Sequence, residues 1–121
     1  MSVSKDELTF RGAIKEAIDE ELAADENVIF FGEDVAEAGG VFAATPGLRD
    51  KYGDDRVFDT PISELALSSA AFGSAVAGMR PIVEIMFADF LFLAMDSLVN
   101  QSAKYWYLSN EQKSIPLVVR S

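Results

Sequence analysis

Apolar side chains at Phe10, Ile14, Ala17, Ile18 and Leu22 recur in steps of three and four, which predicts a helix with one buried face. Thr9 is placed to cap its start, and Asp25 and Asn27 mark its end. The pattern then changes. Residues 28 to 31, VIFF, are apolar without alternation, as in a strand covered on both faces. A polar, glycine-containing loop follows, GEDVAEAGGVF, and a short helix is expected over residues 46 to 51. RVFDT reads as a second strand broken by Pro61, and Ser63 as the cap of a helix beginning beside Glu64.

Ala, Ser and Gly fill most of residues 66 to 78, and Arg80-Pro81 is expected to stop that helix before a third strand, IVEIMF. Leu91, Met95, Leu98, Ser102 and Tyr105 alternate steps of four and three, predicting one face of a fourth helix. IPLVVR reads as the last strand. Strands separated by helices predict an α/β fold: a parallel sheet with helices on both faces and right-handed crossovers. No repeat, linker or low-complexity stretch interrupts it, so residues 1–121 read as one domain.

Composition narrows what such a domain can do. The net charge of -10 and a pI near 4.3 argue against nucleic acid and anionic membrane surfaces as partners. Cysteine is absent, which removes disulfides and thiolate metal sites. Histidine is absent too. Proton transfer therefore falls to carboxylates, or the hard chemistry to a cofactor. The first ten residues lack the apolar core of a secretory signal, and no stretch approaches the roughly 18 apolar residues of a membrane span, so an intracellular location is expected.

In an open parallel sheet, ligands gather beyond the C-terminal ends of the strands. Three predicted loops lie there: residues 32 to 34, 60 to 64 and 86 to 90. The first two carry acids, and the third carries aromatics beside Asp89. Neither a G-x-G-x-x-G after the first strand nor a G-x-x-x-x-G-K-[ST] is present. Glu64 alone reads as an acid complementing a helix N-terminus, and Ile62, Met86 and Phe90 alone as core. Ser69, Gly73 and Ala77, four apart, leave a face without bulk, fitted either to close packing within the domain or to another subunit. Gly73 and Gly78 suggest that this closeness is demanded, since glycine is disfavoured by about 1 kcal/mol inside a helix.

FGEDVAEAGGVF, RVFDTPISE, GMRPIVEIMFADF and MDSLVNQSAKYWYLS, all in one register, resemble the beta subunits of thiamine-diphosphate-dependent 2-oxo acid dehydrogenases. That family includes the pyruvate, branched-chain 2-oxo acid and acetoin dehydrogenases. The resemblance covers the transketolase-like pyrimidine-binding domain and leads one to expect a domain incomplete at its C-terminal end. It implies that Glu64 hydrogen-bonds a pyrimidine nitrogen of thiamine diphosphate and so promotes deprotonation of the thiazolium carbon. Sharing a proton between a carboxylate and a weakly basic nitrogen is easiest in apolar surroundings.

By the same resemblance Phe90 stacks on the aminopyrimidine, Ile62 and Met86 line its pocket, and Glu33 joins Glu64 in a proton path. Leu93 stands where some members carry a further acid, so that path lacks one group here. Leu117 matches a residue whose backbone carbonyl helps hold potassium (K+) in some members. The implied partners are an alpha subunit, which holds the diphosphate through Mg2+, a second beta subunit in a heterotetramer, and a lipoyl acyltransferase that accepts the acyl group. The implied location is cytoplasmic, or the mitochondrial matrix in a eukaryote. EIMFADF leans toward the branched-chain and acetoin members. The other readings are a non-catalytic fragment that keeps only subunit-packing surfaces, or another transketolase-type thiamine enzyme. Taken alone, the chain is expected to expose a sheet edge, to self-associate and to be inactive.

Overall fold

The computed structural model describes residues 8–121. Helix α1 (Phe10–Ala24) starts where expected: the Thr9 hydroxyl accepts the Gly12 N–H at 3.0 Å. Its buried face is Ile18 and Leu22, with Ile14 partly covered. Phe10, expected on that face, is 86% exposed, because as the first helical residue it precedes the turn that reaches the sheet.

Strand β1 (Val28–Gly32) is buried along its whole length. After it come α2 (Leu48–Tyr52), β2 (Val57–Asp59), α3 (Glu64–Val76) and β3 (Arg80–Glu84). The last strand is β4 (Val118–Arg120). The four strands are parallel, in the order β2-β1-β3-β4. Alternate residues of β1 serve two cores. Val28 and Phe30 join Ile18, Leu22, Leu48 and Val57 beneath α1 and α2, while Ile29 and Phe31 join Leu67, Ala71, Val83 and Ala94 beneath α3. Covering both faces is what makes VIFF uniformly apolar.

Three long-range devices set the order of the elements. Phe31 stacks on Phe58 at 4.9 Å across β1 and β2. Arg56 donates to the carbonyls of Leu22, Asp25 and Val28, binding the end of α1 to the start of β2 and satisfying carbonyls that a helix terminus leaves free. Gly32 lets β1 and β3 close up, since a Cβ there would lie 2.7 Å from the Glu84 carbonyl oxygen.

The structure corrects several boundaries. Arg80 and Pro81 begin β3 instead of separating it from α3, and residues 85 to 87 lie beyond it. Pro81 is tolerated because β4 begins opposite Ile82, so no ladder partner awaits the missing N–H. What ends α3 is Gly78, at φ 107, so its glycine answers a backbone requirement and not close packing. Gly73 is exposed, and a Cβ there would meet nothing within 4 Å, so no described residue demands its small size.

The fourth helix is not continuous. A 3-10 turn (Ala88–Phe90) leads into α4 (Leu91–Met95), a π-helical segment (Asp96–Gln101), a second 3-10 turn (Ser102–Lys104) and α5 (Tyr105–Leu108). Ser102 Oγ donates to the Ser97 carbonyl at 3.0 Å, competing with the regular ladder at the wide turn. Leu91 and Leu98 still pack on the α3-side core, and Tyr105 meets Phe72 edge-on at 5.3 Å, so the predicted face survives the irregular backbone. The last strand is shorter than IPLVVR, with residues 115 to 117 approaching the sheet without pairing. Among the described residues no helix is long and apolar enough to cross a membrane.

Candidate functional site

The loops leaving β1, β2 and β3 converge on a cavity of about 440 Å³. The first contributes Glu33, Asp34 and Val41, and the second Ile62 and Glu64. Met86, Phe87, Phe90 and Leu93 close it from the third side. All three loops leave the same end of a parallel sheet, which is why side chains far apart in sequence meet there.

Local chemistry puts the acids in place. Ser63 is extended, and its Oγ accepts the Ala66 N–H at 3.3 Å, so α3 begins at Glu64. The helix N-terminus favours a carboxylate there. Glu64 is only 7% exposed, and its carboxylate makes no hydrogen bond with the described residues. Glu33, half-buried, uses Oε1 to accept the Ser63 N–H at 3.1 Å. Burial first, and then the neighbouring Glu64 charge, pushes the Glu33 carboxyl above the ordinary glutamate range, against the Ser63 N–H, which lowers it. The raised proton affinity of Glu33 thus has a geometric cause, burial beside a second carboxylate.

The wall is aromatic. Phe90 lies on the 3-10 turn, where its N–H donates to the Phe87 carbonyl at 2.9 Å, and its ring stands edge-on to Phe87 at 6.1 Å. Phe87 in turn meets Phe42 edge-on at 5.9 Å. Phe90 remains 45% exposed, so it is free to cover a flat ring. Ile62, 83% exposed, borders the cavity and is not core.

Of the residues singled out from sequence, the fold gathers Glu33, Glu64, Ile62, Met86 and Phe90 in one place. Leu117 lies elsewhere, packed partly against the α3-side core and lining a separate groove. Among the described residues no cluster of three or more acidic side chains could hold a metal ion. Asp34, Val41 and Phe87 were missed. For Phe87 there was a signal in the aromatic content of its loop; for Val41 there was none, since nine residues separate it from the strand end.

The combination of a buried carboxylate without a partner among the described residues, a second acid and an aromatic wall suits an uncharged or weakly basic heterocycle carrying a ring nitrogen. An aminopyrimidine fits that description. The architecture is that of a ligand-binding α/β domain with its site at the strand ends. Residues 6–120 match the family described as transketolase, pyrimidine binding domain, and the chain belongs to that family.

Over 114 residues, 94% of this chain, it is 47% identical to the mitochondrial pyruvate dehydrogenase E1 component subunit beta of Dictyostelium discoideum, of which the match covers 32%. The 2-oxoisovalerate dehydrogenase subunit beta of Bacillus subtilis (strain 168) is 44% identical over the same share of this chain and 35% of its own length. The human mitochondrial pyruvate dehydrogenase E1 component subunit beta is 44% identical, with 32% of it covered. The chain thus spans about a third of the length of the curated relatives it matches.

Proposed function

We propose that this chain forms the pyrimidine-binding part of the beta subunit of a thiamine-diphosphate-dependent 2-oxo acid dehydrogenase. The observation that carries the reading is Glu64: a buried carboxylate without a hydrogen-bond partner among the described residues, at the start of α3 and in a cavity walled by Phe87 and Phe90. Thiamine diphosphate, when bound, supplies a carbon acid and an electron sink for decarboxylating a 2-oxo acid. Glu64 would share a proton with a pyrimidine ring nitrogen, its carboxyl donating to the neutral nitrogen or its carboxylate accepting from the protonated one. Phe90 stacks on the ring, and Met86 and Ile62 exclude water from its edges. Glu33, with its raised proton affinity, relays or stores the proton beside Glu64.

The diphosphate and its Mg2+ are assigned to an alpha subunit, and a second beta subunit completes a heterotetramer. Phe92, Tyr107 and Leu108 stand largely exposed, and the bare surface at Gly73 lies open, features that support burial against partner subunits. The acyl group passes to the lipoamide of an acyltransferase. A K+ ion held in part by the Leu117 carbonyl belongs to the same reading. The enzyme would act in the bacterial cytoplasm or the mitochondrial matrix, on pyruvate, a branched-chain 2-oxo acid or acetoin. The test is to assemble the full-length subunit with its alpha partner and measure lipoamide reduction on those three substrates. Cofactor-dependent turnover of one of them is expected. Its absence for all three, with thiamine diphosphate bound, would overturn the reading.

A further inference from the structure

The backbone takes an uncommon turn immediately after Glu33. Asp34 sits at φ 55, in the left-handed region that few non-glycine residues occupy and that aspartate enters more readily than most, at some cost. Such a conformation persists where surrounding bonds over-determine it. Here the Gly40 N–H donates to the Asp34 carbonyl at 2.8 Å, and the buried Thr45 Oγ1 donates to the Val35 carbonyl at 2.8 Å. Those two bonds hold the loop to itself and to its continuation. A third contact ties it to the sheet. Asp59 Oδ1 accepts the Ala36 N–H at 2.7 Å, and Oδ2 accepts the Glu37 N–H at 3.0 Å.

Asp59 ends β2, in register with Gly32, the residue from which the loop departs. A carboxylate whose two oxygens each take a successive N–H of one turn fixes the turn in both position and orientation, and charge-assisted bonds of this kind are roughly twice as strong as neutral ones. The turn so fixed is the one that delivers Glu33 to the Ser63 N–H, at the threshold of Glu64.

We propose that Asp59 is a positioning residue for the Glu33–Glu64 acid pair, its forked grip on Ala36 and Glu37 holding the strained loop so that Glu33 stays on the Ser63 N–H. The proposal rests on the cofactor-binding reading of the two acids. Asp59 itself touches neither cofactor nor substrate. A residue that merely stabilised the loop would weaken binding evenly at every pH, whereas a positioning residue also changes how binding depends on protonation of the acid pair.

The experiment uses the full-length subunit assembled with its alpha partner and compares Asp59→Asn, Glu33→Gln and Glu64→Gln with the wild type. Amide exchange of Ala36 and Glu37 is read by mass spectrometry, and thiamine diphosphate affinity by calorimetry between pH 5 and 8. In Asp59→Asn those amides are expected to exchange about tenfold faster or more, as for loss of a charge-assisted bond. Cofactor affinity should fall, and its pH profile should move toward that of Glu33→Gln. Unchanged exchange, or weaker binding with an unmoved profile while Glu64→Gln does weaken binding, would overturn the role of Asp59. Wild-type binding by Glu64→Gln would instead sink the cofactor reading and this proposal together. Should Asp59→Asn fail to fold, adding Asp34→Gly relieves the left-handed strain, and the profiles are then read against Asp34→Gly alone, because Asp34 lines the cavity and its charge also raises the Glu33 carboxyl.

Discussion

Two concave regions flank the same sheet. The larger, about 560 Å³, runs along α1 and the β3–β4 edge and is lined mainly by apolar residues such as Ile14, Ile18, Ile82, Pro116 and Leu117. The smaller, about 440 Å³, opens at the C-terminal ends of the strands. Charge reaches both, in different states. Beside the larger groove its Arg80 lies 3.6 Å from Asp25, and its Arg120 pairs with one oxygen of Glu84, a buried residue outside both concavities whose Oε2 has no partner among the described residues. In the smaller cavity one carboxylate is answered by a single N–H and the other by no described residue. Unpartnered polar groups that face an open cavity, as Glu64 does and the enclosed Glu84 does not, mark better than volume the place where a ligand can be recognised by its atoms. The groove offers mainly burial of apolar surface, which is non-directional, with Glu21, Arg80 and Arg120 at its margins.

Substitutions on the two sides should therefore fail in different ways. The largest effect is expected for Glu64→Gln in the assembled full-length subunit: turnover should drop by about 10² to 10⁴, or roughly 3 to 5 kcal/mol of barrier, with stability retained. Hydrogen-deuterium exchange at the thiazolium carbon should slow in parallel, and wild-type exchange would remove Glu64 from the proton chemistry. In the groove, Ile18→Ala should cost about 2 to 5 kcal/mol of folding stability in denaturant titrations and leave thiamine diphosphate affinity unchanged, because Ile18 lines the groove and not the cavity that holds the acids. A selective loss of cofactor binding there would break the distinction between the two regions.

Phe90→Ala should weaken cofactor binding by about ten- to a hundredfold, matching roughly 1 to 3 kcal/mol for stacking on a base-like ring. Calorimetry showing unchanged affinity would take Phe90 out of the site. The smallest effect concerns Glu33. Its carboxyl is raised above the ordinary range, so the folded state binds that proton more tightly than the unfolded chain does. The stabilisation is full below the unfolded value, about 4.3, and is lost as pH rises through the higher folded value. Glu33→Gln keeps an acceptor for the Ser63 N–H and removes the repulsion, so it should be slightly more stable than wild type at pH 7 and lose that advantage near pH 4. Thermal melts at the two pH values check this sign.

Much of the fold was legible because it is written locally. Thr9 and Ser63 cap the helices they were expected to cap, and the unbroken VIFF strand is covered on both faces. The irregular stretch from Leu91 to Leu108 was not legible, because a π turn preserves an apolar spacing of three and four well enough to pass for a plain helix. The candidate site was half legible: Glu33, Glu64 and Phe90 were named from the resemblance of their motifs, whereas Asp34, Phe87 and Val41 join the cavity through the way the loops fold over one another.

The sequence by itself determined the alternation of helices and strands, the identity of the capping residues and the absence of any histidine or cysteine that could share the chemistry. Those properties depend on composition or on contacts a few residues long. Tertiary structure alone decided that Glu33 would reach Ser63 across 30 residues, that Asp59 would brace a loop 23 residues earlier, and that Leu117 would lie in a different concavity from Glu64. The order β2-β1-β3-β4 sets those meetings, since strands distant in the chain become neighbours only when two apolar faces are buried at once and every ladder hydrogen bond finds its partner.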